Sequence, residues 1–114
     1  MEIVPEVKSF YCSDLEYRRE PDEPDNCSLP IQVDIGIKGG EGADIFSFVA
    51  ATPKALQNEI GYRWGRGLLI LETFSWAQVE DAVEELCADM SGASWEQVAR
   101  ELNRWLHWEY DSYR

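Results

Sequence analysis

LPIQVDIGIKGGEGADIFSFVA, residues 29–50, is the stretch on which the fold turns. In 29–38, Ile31, Val33, Ile35 and Ile37 alternate with Gln32, Asp34, Gly36 and Lys38. That period of two puts successive side chains on opposite faces of a strand. Residues 43–50 follow with Ile45, Phe46, Phe48 and Val49, types that suit a pleated, half-buried surface. Between the two runs, Gly39-Gly40-Glu41-Gly42 supplies glycines that take positive φ at little steric cost, as a tight reversal needs. The pattern predicts a β-hairpin with one wet face.

Working outward toward the N-terminus, residues 13–26 carry Pro21, Pro24 and the acids Asp14, Glu16, Glu20, Asp22, Glu23 and Asp25, with Arg18 and Arg19 as counter-charges. Such a segment buries too little apolar surface to offset its ordering entropy, so an exposed loop is predicted. Before it, residues 2–12 alternate around Ile3, Val7 and Phe10. They predict a first strand, which Pro5 restricts to an edge or a bulge because proline cannot donate to a ladder.

Downstream of the hairpin, Thr52-Pro53-Lys54-Ala55-Leu56 opens a short helix. Thr52 is its N-cap and Pro53 stands where a missing N–H does no harm, with the end expected near Gly61. GLLILETF, residues 67–74, is a nearly continuous apolar run and predicts a central strand covered on both faces. Two further helices open alike, Ser75-Trp76-Ala77-Gln78 and Ser94-Trp95-Glu96-Gln97, each a Ser N-cap with Gln three residues on, the capping-box spacing. Trp76, Val79, Val83, Leu86, Cys87 and Met90 form one apolar stripe, and Trp95, Val98, Ala99, Leu102 and Leu106 the other, with Gly92 between the helices. The echo is too short for a repeat. Strands first and helices last predict an α+β fold, residues 1–114 as a single domain: an antiparallel sheet of about four strands, helices packed on one side, and two C-terminal helices.

The 114 residues are enough to bury a core without metal or disulfides. A 45% hydrophobic fraction with five Trp rules against a disordered chain. The formal charge of −12 costs stability through self-repulsion, and its return is solubility, steering toward a basic partner, or both. It disfavours direct binding to nucleic acid, whose phosphates would be repelled, and to an anionic membrane surface. No apolar stretch approaches a bilayer span. Cys12, Cys27 and Cys87 are odd in number and widely spaced, with neither CxxC nor a signal-like N-terminal segment. A cytoplasmic, reducing compartment and free thiols are expected.

No constellation for catalysis or for a cofactor stands out. His107 is the single histidine, lies in Trp105-Leu106-His107-Trp108, and is read as structural. The cysteines lack zinc-ligand spacing, and Cys87 falls on an apolar stripe as a small core residue. Residues 36–42 hold the glycines of a phosphate loop without the GxxxxGK[ST] order, and residues 14–25 lack calcium-loop spacing. No metal, cofactor or catalytic residue is expected, and the chain is read as a binding protein.

The candidate surface is therefore one of charge. On the helix from Trp76, Glu80 faces Glu84, Asp81 faces Glu85, and Glu85 faces Asp89, with no cation inside the helix. Each such pair destabilises a helix by a few tenths of a kcal/mol. The face is either simply solvated or a recognition face for a basic partner. Asp22, Glu23 and Asp25 of the acidic loop join it as candidates. So do Trp108, Glu109, Tyr110 and Asp111, where aromatics can anchor an interface and acids can pair with Lys or Arg. Trp105 is expected to dock inward, while Trp108 and Tyr110 are left open between packing and contact.

These residues also carry a resemblance. Pro21-Asp22-Glu23-Pro24-Asp25-Asn26, Ile35-Gly36-Ile37-Lys38-Gly39-Gly40-Glu41-Gly42, Phe48 through Thr52-Pro53-Lys54, Leu68-Leu69-Ile70, Ser94-Trp95-Glu96-Gln97-Val98-Ala99 and Trp108-Glu109-Tyr110-Asp111 together resemble the immunity protein 8 family of bacterial polymorphic toxin systems, of the contact-dependent inhibition type. Ala55 stands where the family pattern often has a bulkier residue and Ala51 where it often has Cys, departures that concern packing. The resemblance implies an α+β domain encoded beside a toxin and acting by binding it. On that footing the expected partner is a cognate toxin domain, basic in character and best fitted by a nuclease, since an enzyme that grips phosphates presents a basic cleft. It is neutralised by stoichiometric occlusion. The alternatives are an acidic DNA mimic that blocks a nucleic-acid-binding protein and, third, a small enzyme with carboxylate catalysis.

Overall fold

The computed structural model describes residues 2–59 and 65–111. In chain order its elements are β1 (Pro5–Tyr11), β2 (Ser28–Ile37), β3 (Asp44–Ala51), α1 (Pro53–Gln57), β4 (Leu68–Ile70), α2 (Trp76–Ala88), α3 (Trp95–Leu102) and β5 (His107–Trp108). The hairpin forms as the alternation predicts, β2 and β3 pairing antiparallel from Ser28↔Ala51 to Ile35↔Asp44. Leu29, Ile31, Val33 and Ile35 are buried along β2 and Phe46, Phe48 and Ala50 along β3. They face α2 and α3 and form one core with Val79, Val83, Val98 and Leu102. The alternation stops at Ile35, since Ile37 is exposed and Gly36 is buried. A side chain at Gly36 would meet the Gly42 carbonyl oxygen at 2.0 Å, so the hairpin closes only because that position lacks one. Gly36→Ala is expected to cost about 1–3 kcal/mol by forced displacement of the loop. Gly42→Ala, whose Cβ meets nothing within 4 Å, should be near neutral, and urea unfolding midpoints of the pair measure the difference.

β1 lies on the sheet edge, antiparallel to β2, with a bulge between Val7 and Ser9. Both are outcomes that Pro5 permits. At the bulge, Lys8 Nζ bonds Glu6 (2.7 Å) and the Gly40 carbonyl (2.8 Å), tying the edge to the hairpin loop.

The sheet is mixed rather than wholly antiparallel, because β4 runs parallel to β3 from Val49↔Leu68 to Ala51↔Ile70. β4 is also an edge strand of three residues, where the apolar run predicted a central one. Leu71 and Phe74 are buried, but beyond the strand's end, and Ile70 is 57% exposed. The run was apolar for plugging the core, not for two covered faces. α1 has the predicted cap, Thr52 Oγ1 accepting from Ala55 N, and proline in its first turn. It closes at Gln57, before the expected end near Gly61, which lies outside the described residues.

α2 and α3 both start at their serine caps, Ser75 accepting from Gln78 N and Ser94 from Gln97 N. The Gln97 side chain accepts from Ala93 N at 2.7 Å, one residue before the cap itself. The chain does not end in helix. After α3 it returns to the sheet as β5, which pairs antiparallel with β3 at Phe46↔Trp108 and Ser47↔His107. The free edge of β3 is thus shared between β4 at one end and β5 at the other. Gly67, at φ +72°, precedes β4, and the His107 imidazole stands 2.4 Å from where its Cβ would project. The single histidine fills a glycine's vacant side and joins β5 to β4.

Candidate functional site

α2 carries the largest share of candidate residues. Its buried stripe is Trp76, Val79, Val83 and Cys87, and a 3.6-residue period then puts Asp81, Glu85 and Asp89 on the opposite side, Glu84 on the flank and Glu80 at the stripe's edge. Asp81, Glu84, Glu85 and Asp89 are exposed, while Glu80 is half-buried. Glu80 has found a partner the sequence did not offer within the helix, because Arg18 from the acidic loop pairs with its carboxylate. Arg18 adopts a left-handed φ of 62° and lays its guanidinium 5.6 Å from the Trp76 ring centroid, a cation–π contact as well as an ion pair. The other four carboxylates have no ion-pair partner among the described residues. Glu85 lies in the last turn and Asp89 is the C-cap, where the helix dipole opposes negative charge.

The loop is exposed as predicted, yet it is fastened to the start of α2. Phe74 N donates to the Pro24 carbonyl (2.8 Å), Trp76 Nε1 to the Arg19 carbonyl (2.8 Å), and Thr73 Oγ1 to Asp25. Asp22, Glu23 and Asp25 are exposed and are therefore held alongside residues 73–80. The structure thus fastens the acidic loop to the start of α2.

The C-terminal candidates lie elsewhere. Trp108 stacks on Phe46 with 6.5 Å between centroids and donates from Nε1 to Asp44 Oδ2 at 2.9 Å. Glu109 accepts from Ile45 N at 2.6 Å, and Asp111 lies 4.0 Å from Arg66. Tyr110 sets its ring edge-on to Trp108 and is half exposed. These four sit at the Asp44 end of β3, while the loop and the start of α2 follow from the Ala51 end. Two of them, Trp108 and Glu109, hold β5 in place.

Trp105, expected to dock inward, is 60% exposed. It stands over a groove of about 420 Å³ with Leu69 of β4 and Ala82 and Leu86 of α2, and Glu85 and Asp89 complete its wall. The sequence signal for this feature was weak. Leu86 lies on a predicted core stripe and Leu69 in a run read as central strand, so both looked spoken for. Each is instead only partly buried, because β4 ends the sheet.

The described residues contain no group of three His, Cys, Asp or Glu side chains placed to hold a metal ion, and no helix long and apolar enough to cross a membrane. The three cysteines are free. Burial, with Glu84 adding to it, pushes the Cys87 thiol up to about 11, and burial also raises Cys12 and Cys27, the latter with help from Asp25 and Glu20. Thiols so protonated are poor nucleophiles near neutral pH.

A family model described as Immunity protein 8 matches residues 5–113. Comparison with curated proteins and with solved structures gave no match.

Proposed function

The chain belongs to the Immunity protein 8 family, and from that premise we propose that it protects by holding one cognate toxin domain in a stoichiometric complex, steered onto it by the acidic face of α2 and the adjoining loop. An immunity protein acts against a toxin, and occlusion of the toxin's working surface requires no chemistry of its own. The observation that carries the reading is the set of four carboxylates, Asp81, Glu84, Glu85 and Asp89, exposed along one helix without a cation in ion-pair range among the described residues. Their mutual repulsion weakens the helix by a few tenths of a kcal/mol per pair. A basic toxin surface would relieve it on binding.

A nuclease suits this partner best, since its phosphate-gripping cleft carries the opposite field. The complex forms in the cytoplasm, where such a toxin would act. Opposed fields raise association rates above the neutral range of about 10⁵–10⁶ M⁻¹s⁻¹. With Asp81, Glu84 and Glu85 all changed to lysine, the association rate constant for the toxin domain should fall about ten- to a hundred-fold at low salt. The native protein's own rate should drop steeply as salt screens the field. Stopped-flow association across a salt series, with growth rescue on co-expression, measures both. Full rescue and an unchanged rate in the triple variant would remove this helix from the interface.

A further inference from the structure

We propose that the groove between α2, β4 and the turn after α3 is the anchor point of that complex, taking an apolar side chain of the toxin that is flanked by lysine or arginine. This rests on the toxin-binding reading above and adds where the affinity comes from. The lining is mostly apolar, with Leu69, Ala82 and Leu86 partly exposed in it. Trp105 stands beside it, 60% exposed, although an indole so placed leaves a large apolar surface in water. Glu85 and Asp89 form the groove's acidic wall, and both are among the carboxylates without an ion pair in the described residues.

An apolar slot beside an exposed tryptophan, bounded by charges of one sign, fits the arrangement in which a buried aromatic centre carries most of the binding energy and rim charges set partner and orientation. The charge also selects the occupant. A second copy of this chain would bring another −12 against the same acids, whereas a basic segment would neutralise them. The steering face and the groove share Glu85 and Asp89, so a toxin drawn in by the field arrives beside the slot.

Two variants test the groove without touching the core. Trp105→Ala leaves the backbone bonds of that residue in place, its N–H to the Leu102 carbonyl and its carbonyl accepting from Gly67 N. Ala82→Arg fills the slot with a cation from a partly exposed helix position. The probe is the purified toxin domain encoded beside this chain's gene, as membership of an immunity family implies, and Glu41→Arg on the hairpin loop serves as a charge control. Each groove variant, still folded by circular dichroism, is expected to bind about thirty-fold more weakly with most of the loss in dissociation rate, and the control within about two-fold of native. Groove variants that bind like native while native binds well would overturn the groove and leave the toxin reading standing. No binding by the native protein would remove both. A native dimer in sedimentation that Trp105→Ala disperses would assign the groove to a second copy and overturn the proposal equally.

Discussion

Replacing Phe46 with alanine is expected to remove about 3–5 kcal/mol of folding stability, the cost of deleting a large aromatic from a site that cannot fully collapse. Phe46 is fully buried. Trp95 meets its ring edge-on at 6.4 Å and Trp108 stacks against it at 6.5 Å, so α3 and β5 both converge on one side chain of β3. Neither indole can swing into the space left behind, because each is tethered through its ring N–H to Asp44. Against a typical total of about 5–15 kcal/mol for a domain, such a loss leaves little margin. The urea midpoint should fall sharply with its slope unchanged, whereas Phe46→Leu, which keeps most of the volume, should lose under about 1.5 kcal/mol. Equal effects from the two would show that the site repacks.

Asp44→Ala comes second, at about 2–4 kcal/mol. A single carboxylate oxygen, Oδ2, accepts from Trp95 Nε1 at 2.8 Å and from Trp108 Nε1 at 2.9 Å. Removing it strands two half-buried indole donors at once, each costing about 1–3 kcal/mol where water cannot replace the partner. The loss should concentrate in β5, which pairs with β3 at only two positions and depends on Trp108 to stay seated. Hydrogen exchange at residues 105–110 should therefore quicken more than exchange in α2. Asp44→Asn keeps an acceptor and should recover more than half of the loss. If Asn proves as damaging as Ala, the charge and not the acceptor holds the two rings.

The candidate surface was legible only in part. Helical periodicity alone places Asp81, Glu84, Glu85 and Asp89 on one side of α2, since the apolar stripe fixes the other. Glu80 falls by that rule at the edge of the apolar stripe, beside Trp76 and Cys87, and its carboxylate is taken by Arg18, 62 residues away in sequence, a partner that no local pattern announces. The C-terminal aromatics illustrate the same boundary. The sequence predicts that Trp105 docks inward and leaves Trp108 open between packing and contact; the structure leaves Trp105 exposed and packs Trp108 against the core. Trp108 is drawn in by its register opposite Phe46, and Trp105 lies in the turn ahead of the strand.

The sequence by itself determined what depends on neighbours a few residues apart. The β2–β3 hairpin, the two serine caps, the Thr52-Pro53 helix start and the apolar stripes of α2 and α3 all follow from spacing and turn chemistry, and all are present. Tertiary structure decided whatever rests on which segments meet. It made β4 a parallel edge strand, brought β5 back to β3 after the last helix, and fastened the acidic loop to α2. An apolar side chain records in the sequence that it needs cover, but not which element will provide it. Leu69 and Trp105 share a groove for that reason, in a place that neither of their own segments could indicate.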